Sequence, residues 1–287
     1  MTTTMLSLFR DAPIGLGTWH MGESRLAAQT EADAILHALE RGVRLIDTAE
    51  MYADGGAEGV VGQALKAFGA NRRDALCIVT KVLPTHASRD GTIAACEASL
   101  RRLGLEYVDL FLLHWEGSVP YERTLEGFAA LRERGLIRHW GVSNFDAPEL
   151  AAWCATEARM GLDAGRDACA ANQVYYSLQA RGPEFDLLPA MSARRMPLMA
   201  YTPLASGELA QDARLAAIAA PLGLSAAQLA LAWVVRGGEV VAIPKSATPA
   251  RIDENLAAAT VALDADTLAR IDALYPPPKR KQPLAMI

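Results

Sequence analysis

Val43-Arg44-Leu45-Ile46-Asp47-Thr48-Ala49-Glu50-Met51-Tyr52 is a short apolar run that ends in a carboxylate and meets a phenol five residues later. Apolar strand, then acid, then polar loop is the order in which a parallel barrel delivers side chains to the C-terminal rim of its strands. Two later runs end alike: Leu76-Cys77-Ile78-Val79-Thr80 in Lys81, and Leu110-Phe111-Leu112-Leu113 in His114. An acid, a phenol, an amine and an imidazole, each at or just past a strand end, suit one proton-donating site.

Working outward from that stretch, residues 1–13 form an expected N-terminal hairpin or cap, and Ile14–Gly17 reads as the first strand. A helix over Gln29–Arg41 has Ala34, Ile35, Ala38 and Leu39 at helical spacing, Thr30 as an N-cap and Gly42 as its stop. Strand two runs into Asp47, and a helix over about Glu58–Lys66 follows the loop Met51–Gly56. Strand three is Leu76–Lys81, then a helix Arg89–Leu103 ended by Gly104. Strand four is Val108–His114, then a helix Tyr121–Arg134 ended by Gly135. Strand five is His139–Ser143, and Pro148 opens a helix to about Arg159 from its first turn, where a missing N–H costs least. Met160–Arg166 reads as an exposed loop. Strand six lies near Ala170–Val174, strand seven at Pro197–Tyr201 and strand eight at Val240–Ile243. A long loop, Thr202–Leu209, precedes helices near Ala213–Ala220 and Ser225–Arg236. Helices Pro249–Ala258 and Asp264–Leu274 precede a proline- and lysine-rich tail, residues 276–287. Eight apolar runs alternating with helices predict the α/β class: a parallel sheet closed into one (β/α)8 TIM barrel, with two C-terminal helices.

The 287 residues suit one domain, since roughly 250 build such a barrel. Half the residues are apolar (51%) and a fifth charged (21%), the composition of an ordinary globular chain with a sizeable core. A formal charge of -5 gives no basic footprint for nucleic acid or an anionic membrane, so neither is expected as a partner. The N-terminus lacks the apolar stretch and cleavage site of a signal peptide, and no run nears 18 apolar residues, so a cytoplasmic protein is expected. Cys77, Cys96, Cys154 and Cys169 are scattered and read as reduced thiols. His114, His20, His37, His86 and His139 show neither ligand spacing nor an accompanying carboxylate cluster, so no metal is expected.

Tyr52 is the candidate general acid. A free phenol has a pKa near 10 and is a poor donor at neutral pH. A neighbouring ammonium favours the phenolate and is expected to lower that value. Lys81 would supply the ammonium, Asp47 would hold it charged and aimed, and His114 would donate a hydrogen bond to a carbonyl oxygen or help relay the proton. Alone, each also has a purely structural reading: Asp47, Lys81 and His114 as loop anchors at strand ends, Tyr52 as a surface loop residue. Lys245 and Ser246 leave strand eight, Thr248 and Pro249 open a helix, and Arg251 lies in its first turn. A helix N-terminus beside an arginine is a natural phosphate site.

Gly42 to Tyr52, Lys81, and Tyr107-Val108-Asp109-Leu110-Phe111-Leu112-Leu113-His114-Trp115 resemble signature segments of the aldo-keto reductase superfamily. Gly141-Val142-Ser143-Asn144-Phe145 and Ile243-Pro244-Lys245-Ser246 with Arg251, Glu254 and Asn255 extend the likeness over most of the chain, from Gly15 to about Tyr275. Gly17-Thr18-Trp19 and Met21-Gly22-Glu23 are similar to the openings of compact bacterial members. The resemblance implies a tetrad of Asp47, Tyr52, Lys81 and His114, and NADPH extended across the barrel mouth. Gly17, Thr18, Trp19 and Asp47 would lie along the cofactor. Ser143, Asn144 and Gln173 would bond the nicotinamide carboxamide and Tyr201 would stack on the ring. Residues 202–207, Pro203, Leu204 and Ser206 among them, would cover the pyrophosphate. Lys245, Ser246, Thr248 and Arg251 would surround the 2′-phosphate, with Glu254 and Asn255 at the adenine.

Gly15-Leu16-Gly17-Thr18-Trp19-His20-Met21-Gly22 begins like a dinucleotide fingerprint, but its third glycine comes two positions late and no βαβ context accompanies it. Trp19, Met51, His86 and Trp115, just past strand ends one to four, are the expected pocket wall. An apolar wall and a short loop, Trp115–Pro120, favour small aldehydes, ketones and α-dicarbonyls. The expected activity is carbonyl reduction with Tyr52 as acid, in a monomer or weak homo-oligomer. The alternatives are a catalytically weak cofactor-binding sensor or channel-associated subunit on the same fold, and a barrel hydrolase. The hydrolase would need two converging carboxylates, where only Asp47 is well placed and Glu116 is a weak second.

Overall fold

Strand pleating explains why the chemistry gathers at one end of this molecule. A computed structural model describes residues 11–24, 27–162 and 168–287. Eight parallel strands run in sequence order: β1 (Leu16–Gly17), β2 (Leu45–Asp47), β3 (Cys77–Val82), β4 (Val108–Leu113), β5 (Ile137–Ser143), β6 (Asn172–Tyr175), β7 (Leu198–Tyr201) and β8 (Val240–Ala242). Parallel bridges Ile14↔Ala242 and Gly17↔Lys245 join the last strand to the first, so the sheet closes into the expected barrel. Gly17 is required at that seam, because a Cβ there would sit 2.8 Å from the Ile243 carbonyl oxygen. Gly15, too, serves the seam: its N–H donates to the Ala242 carbonyl at 2.8 Å.

Side chains alternate across a strand. Leu45, Cys77, Val79, Leu110, Leu112, Met199, Val241 and Ile243 form an apolar plug in the barrel interior. Ile46, Ile78, Phe111, Leu113, Val174 and Ala200 take the other parity and pack into the larger core with the surrounding helices. Two residues beyond the plug, the inward parity carries Asp47 after Leu45, Lys81 after Val79, His114 after Leu112 and Tyr201 after Met199. Gln173 pairs with Ser143 on one side and Met199 on the other, and so shares that face.

The helices are α1 (Ala28–Glu40), α2 (Gly56–Phe68), α3 (Arg89–Leu103), α4 (Tyr121–Glu133), α5 (Ala147–Arg159), α6 (Leu187–Ser192), α7 (Ala213–Ala219), α8 (Ala226–Val235), α9 (Pro249–Ala257) and α10 (Ala265–Leu274). Local chemistry sets their ends. The Ser88 hydroxyl accepts from the Gly91 N–H at the start of α3, and Gly104 closes it in the left-handed conformation (φ 67°). Ser225 and Gln228 form a reciprocal capping box on α8.

Some boundaries differ from the sequence reading. Thr30 does not cap α1: the Ser24 carbonyl accepts from Ala27 and Ala28, which starts the turn earlier and leaves Thr30 inside the helix. β3 begins at Cys77 and runs one residue past Lys81 to Val82, β6 begins at Asn172 and reaches Tyr175, and α6 is an element the periodicity did not mark. Residues 1–10 of the expected cap, and residues 163–166 of the loop expected at Met160–Arg166, lie outside the described residues. No single helix among the described residues is long and apolar enough to cross a membrane.

Candidate active site

Lys81 is the centre of the rim. Its side chain is fully buried, and its Nζ donates to Asp47 Oδ2 at 2.8 Å, to the Thr48 carbonyl at 2.9 Å and to Tyr52 Oη at 3.1 Å. An ammonium has three protons, and here three acceptors receive them. Burial disfavours the charge, but the attraction of Asp47 and the hydrogen bonds to Asp47 and Tyr52 outweigh it and hold the Lys81 pKa above its ordinary value. The amine therefore stays protonated.

Tyr52 behaves differently from expectation. Burial raises the phenol's pKa, Lys81 lowers it, and the Asp47 charge raises it again; the net direction is upward. The expected lowering is corrected for a physical reason. The ammonium is shared with a carboxylate that itself repels a phenolate, and the site is dry enough for desolvation to dominate. Tyr52 is thus firmly protonated at rest.

His114 lies edge-on to the Tyr52 ring, with centroids 5.8 Å apart. Burial and then the Lys81 charge push its pKa down to about 2, so the imidazole is neutral. Its Nδ1 is buried and has no hydrogen-bond partner among the described residues. A neutral imidazole carries one proton and can donate one hydrogen bond.

Beside the tetrad lies a second network. Gln173 Nε2 donates to Asp47 Oδ1 at 2.7 Å. The Ser143 hydroxyl donates to the Gln173 carbonyl at 2.9 Å. Asn144 takes the left-handed conformation (φ 59°) that asparagine tolerates; its amide nitrogen donates to the His114 carbonyl at 3.1 Å, and its Oδ1 accepts from Tyr201 Oη at 2.8 Å. Hydrogen bonds thus link Ser143, Asn144, Gln173 and Tyr201, and Gln173 also has a partner in Asp47 that sequence reasoning missed.

Further round the rim, Thr18 anchors the loop after β1, its hydroxyl and its N–H both reaching the Asp47 carbonyl (2.9 and 3.0 Å). After β7, Thr202 (φ 50°), Ala205 (φ 49°) and Ser206 (φ 55°) all occupy the left-handed region before Gly207 (φ 95°). Strain of about 1–3 kcal/mol per such residue is typical of functional loops. In this loop Pro203 is buried, Leu204 packs against the core and Ser206 is exposed.

The far end of the rim is cationic. Ser246 Oγ accepts from the Thr248 N–H at 3.1 Å, shaping the turn into α9. Lys245 and Arg251 are exposed there, and neither has a carboxylate partner among the described residues. Two unpaired cations at a helix N-terminus fit a phosphate. Glu254 and Asn255 follow on α9, half-buried and buried.

Of the expected wall, Trp115 packs on the His114 ring (4.8 Å between centroids) and Trp19 on the His20 ring (4.2 Å). Trp19 and Met51 are exposed apolar surface, at 37% and 39%. His86 instead faces Glu50, whose Oε1 lies 3.0 Å from its Nδ1 and also accepts from the Leu83 N–H at 2.7 Å. Glu50, inside the opening motif, ties the loops after β2 and β3 together, a role the sequence did not suggest. Beyond α10 the tail returns to the rim, where Lys281 pairs with Asp146 and Asp186. A cavity of about 650 Å³ lies under that tail, lined by Leu178, Gln179 and Tyr275 among others, and another of about 450 Å³ lies between α2 and the end of α3; no tetrad residue lines either. No group of three His, Cys, Asp or Glu side chains among the described residues is arranged to hold a metal.

Comparison with known proteins agrees with this geometry. The sequence profile of the aldo/keto reductase family matches residues 13–276. Methylglyoxal reductase YeaE of Escherichia coli (strain K12) is 45% identical over 279 residues, covering 96% of this chain and 94% of that one. An aldo/keto reductase from Klebsiella pneumoniae, crystallised with NADP and acetate, superposes with a TM-score of 0.88 at 44% identity, covering 96% of this chain and 95% of the other. An aldo/keto reductase from Brucella melitensis superposes with a TM-score of 0.75 at 30% identity, covering 91% and 94%. On both its profile and its relatives, the chain belongs to the aldo/keto reductase family.

Proposed function

We infer that this protein is an NADPH-dependent reductase of small aldehydes and ketones, α-dicarbonyls included, with Tyr52 as the proton donor. One observation carries the reading. Lys81 donates its third proton to Tyr52 Oη, so the phenol's own O–H is free to point away from the ammonium, toward the mouth. The E. coli relative is named for reduction of an α-dicarbonyl, and the Klebsiella relative was crystallised with NADP; both favour the same assignment.

The residues present fit the cofactor. Lys245 and Arg251, without carboxylate partners among the described residues, would hold the 2′-phosphate with Ser246 and Thr248. The strained loop after β7 would lie along the pyrophosphate, and Ser143, Asn144, Gln173 and Tyr201 would hold the nicotinamide. When bound, the nicotinamide supplies the hydride that forms the new C–H bond. Trp19, Met51 and Trp115 offer an apolar approach for a small substrate.

As the carbonyl π bond breaks, negative charge builds on oxygen. Tyr52 gives that oxygen its proton, and the neutral His114 donates a second hydrogen bond to it. The raised pKa of Tyr52 does not oppose this, since an alkoxide is a much stronger base than a phenolate. Lys81 stabilises the phenolate left behind, Asp47 holds Lys81 in place, and solvent then returns the proton to Tyr52.

Steady-state oxidation of NADPH by methylglyoxal or nitrobenzaldehyde tests the reading. Saturable turnover is expected. Tight NADPH binding without turnover on either substrate would instead favour the cofactor-binding sensor.

A further inference from the structure

Asp47 has two carboxylate oxygens, and the structure gives each a different donor. Oδ2 faces Lys81 at 2.8 Å, and Oδ1 accepts from Gln173 Nε2 at 2.7 Å. The second bond spans the barrel from β6 to β2 and is fully buried, Gln173 being 1% and Asp47 2% exposed. Gln173 is itself immobilised. Its backbone carbonyl accepts from the Ser143 hydroxyl and from the Asn144 N–H at 2.8 Å, and Met199 Sδ lies 3.9 Å from its amide nitrogen.

Resting on the reductase reading above, we propose that Gln173 is a positioning residue for proton transfer: by fixing Asp47 Oδ1 it keeps Oδ2 on Lys81, and so keeps the ammonium on Tyr52. The physical case is one of competition. A carboxylate accepts from about four lone-pair sites, and among the described residues the only cation bonded to this one is Lys81. Directly below lie Leu45 and Val79, which offer no donor. Without Gln173, Oδ1 is a buried acceptor with its donor removed. Turning the carboxylate so that both oxygens share the ammonium is then its nearest remedy, and that draws Nζ away from Tyr52 Oη. The same amide would hold the nicotinamide carboxamide, so one side chain would touch both cofactor and tetrad.

Two variants separate this role from simple cofactor binding. NADPH affinity is measured by fluorescence titration, and kcat is measured at saturating NADPH and methylglyoxal across pH. Gln173→Leu is expected to lose about tenfold or more in kcat after NADPH is saturated, over and above any change in affinity. Gln173→Glu is isosteric. Protonated, it still donates to Asp47; ionised, it sets a second negative charge against Asp47. Its kcat should therefore approach the wild-type value at low pH and fall as pH rises, relative to wild type at the same pH. Thermal melts establish that each variant is folded, and the glutamate variant alone decides the matter if the leucine variant is not. A kcat for Gln173→Leu equal to wild type at saturating NADPH overturns the proposal. So does a Gln173→Glu profile parallel to wild type, since a residue that only held nicotinamide would change affinity and not the pH course of kcat. Wild-type turnover in the same assay stands as the separate check: its absence would fail the reductase reading, and its presence beside unaltered variants would fail this proposal alone.

Discussion

Two ion pairs, one buried and one nearly so, stand at opposite ends of neighbouring strands, and they are built from different cations. Toward the start of β4, Asp109 Oδ2 takes Arg73 at 2.7 Å and the Ile78 N–H at 2.9 Å. Arg73 gives further protons to the Leu76 and Tyr107 carbonyls at 3.2 and 3.0 Å. The fork joins strand ends to a loop, and its hydrogen bonds stay within the framework. At the C-terminal rim, Asp47 takes Lys81, whose remaining protons go to the Thr48 carbonyl and the Tyr52 phenol. A compact ammonium can aim one proton at a titratable group, where a planar guanidinium is suited to bridging fixed acceptors. The two ends of a barrel divide in the same way, one for stability and the other for chemistry.

Substituting each cation should separate those roles, with the largest effect at the rim. Lys81→Met leaves Asp47 charged and unpaired in a dry interior, so it should cost about 3–5 kcal/mol of stability and nearly all turnover. Denaturant melts and stopped-flow NADPH oxidation read the two losses. Arg73→Met, whose side chain keeps 12% exposure, should cost about 1–3 kcal/mol and leave kcat at the wild-type value. A large kcat loss in Arg73→Met would erase the contrast.

A third cation sharpens it. Arg251 has no carboxylate partner among the described residues and is expected to meet the 2′-phosphate, so Arg251→Ala should weaken NADPH by about tenfold and leave NADH unchanged. Parallel fluorescence titrations with the two dinucleotides measure this, and equal losses for both would remove Arg251 from that site.

Just below neutral pH a smaller effect concerns acid sensitivity. His114 has a folded-state pKa of about 2 against an ordinary 6.5, so the unfolded chain binds the extra proton between those values. Stability from this group is fully present above about pH 6.5 and declines as pH falls toward 2. His114→Gln should flatten that part of the stability–pH curve, as urea melts over the acidic range would report. An unaltered slope would mean that His114 is not buried and neutral as described.

The fold, and the gathering of Asp47, Lys81 and His114 at one rim, were legible in the sequence because both rest on local patterns. Apolar runs end in Asp47, in Lys81 and just before His114, and the two-residue alternation of a strand places all three on the inward face above the apolar plug. Long-range and environmental facts were not legible in the same way. The bond between Gln173 and Asp47 joins residues 126 apart and exists only once the barrel closes. The direction of the Tyr52 pKa depends on how dry the rim is, which residue order does not state. Helix α6 has six residues with Pro189 among them, too few for a helical period to emerge, and Ser24 displaced Thr30 through a backbone carbonyl rather than a side chain.

Everything at the rim turns on whether the phenol held by Lys81 is the proton source. Mixing preformed Tyr52→Phe·NADPH with methylglyoxal in a stopped-flow instrument measures this in a single turnover. A fall of about 10²–10⁴-fold in the rate of NADPH oxidation, with cofactor affinity unchanged, is the expected result. A rate equal to that of the wild-type protein would contradict it.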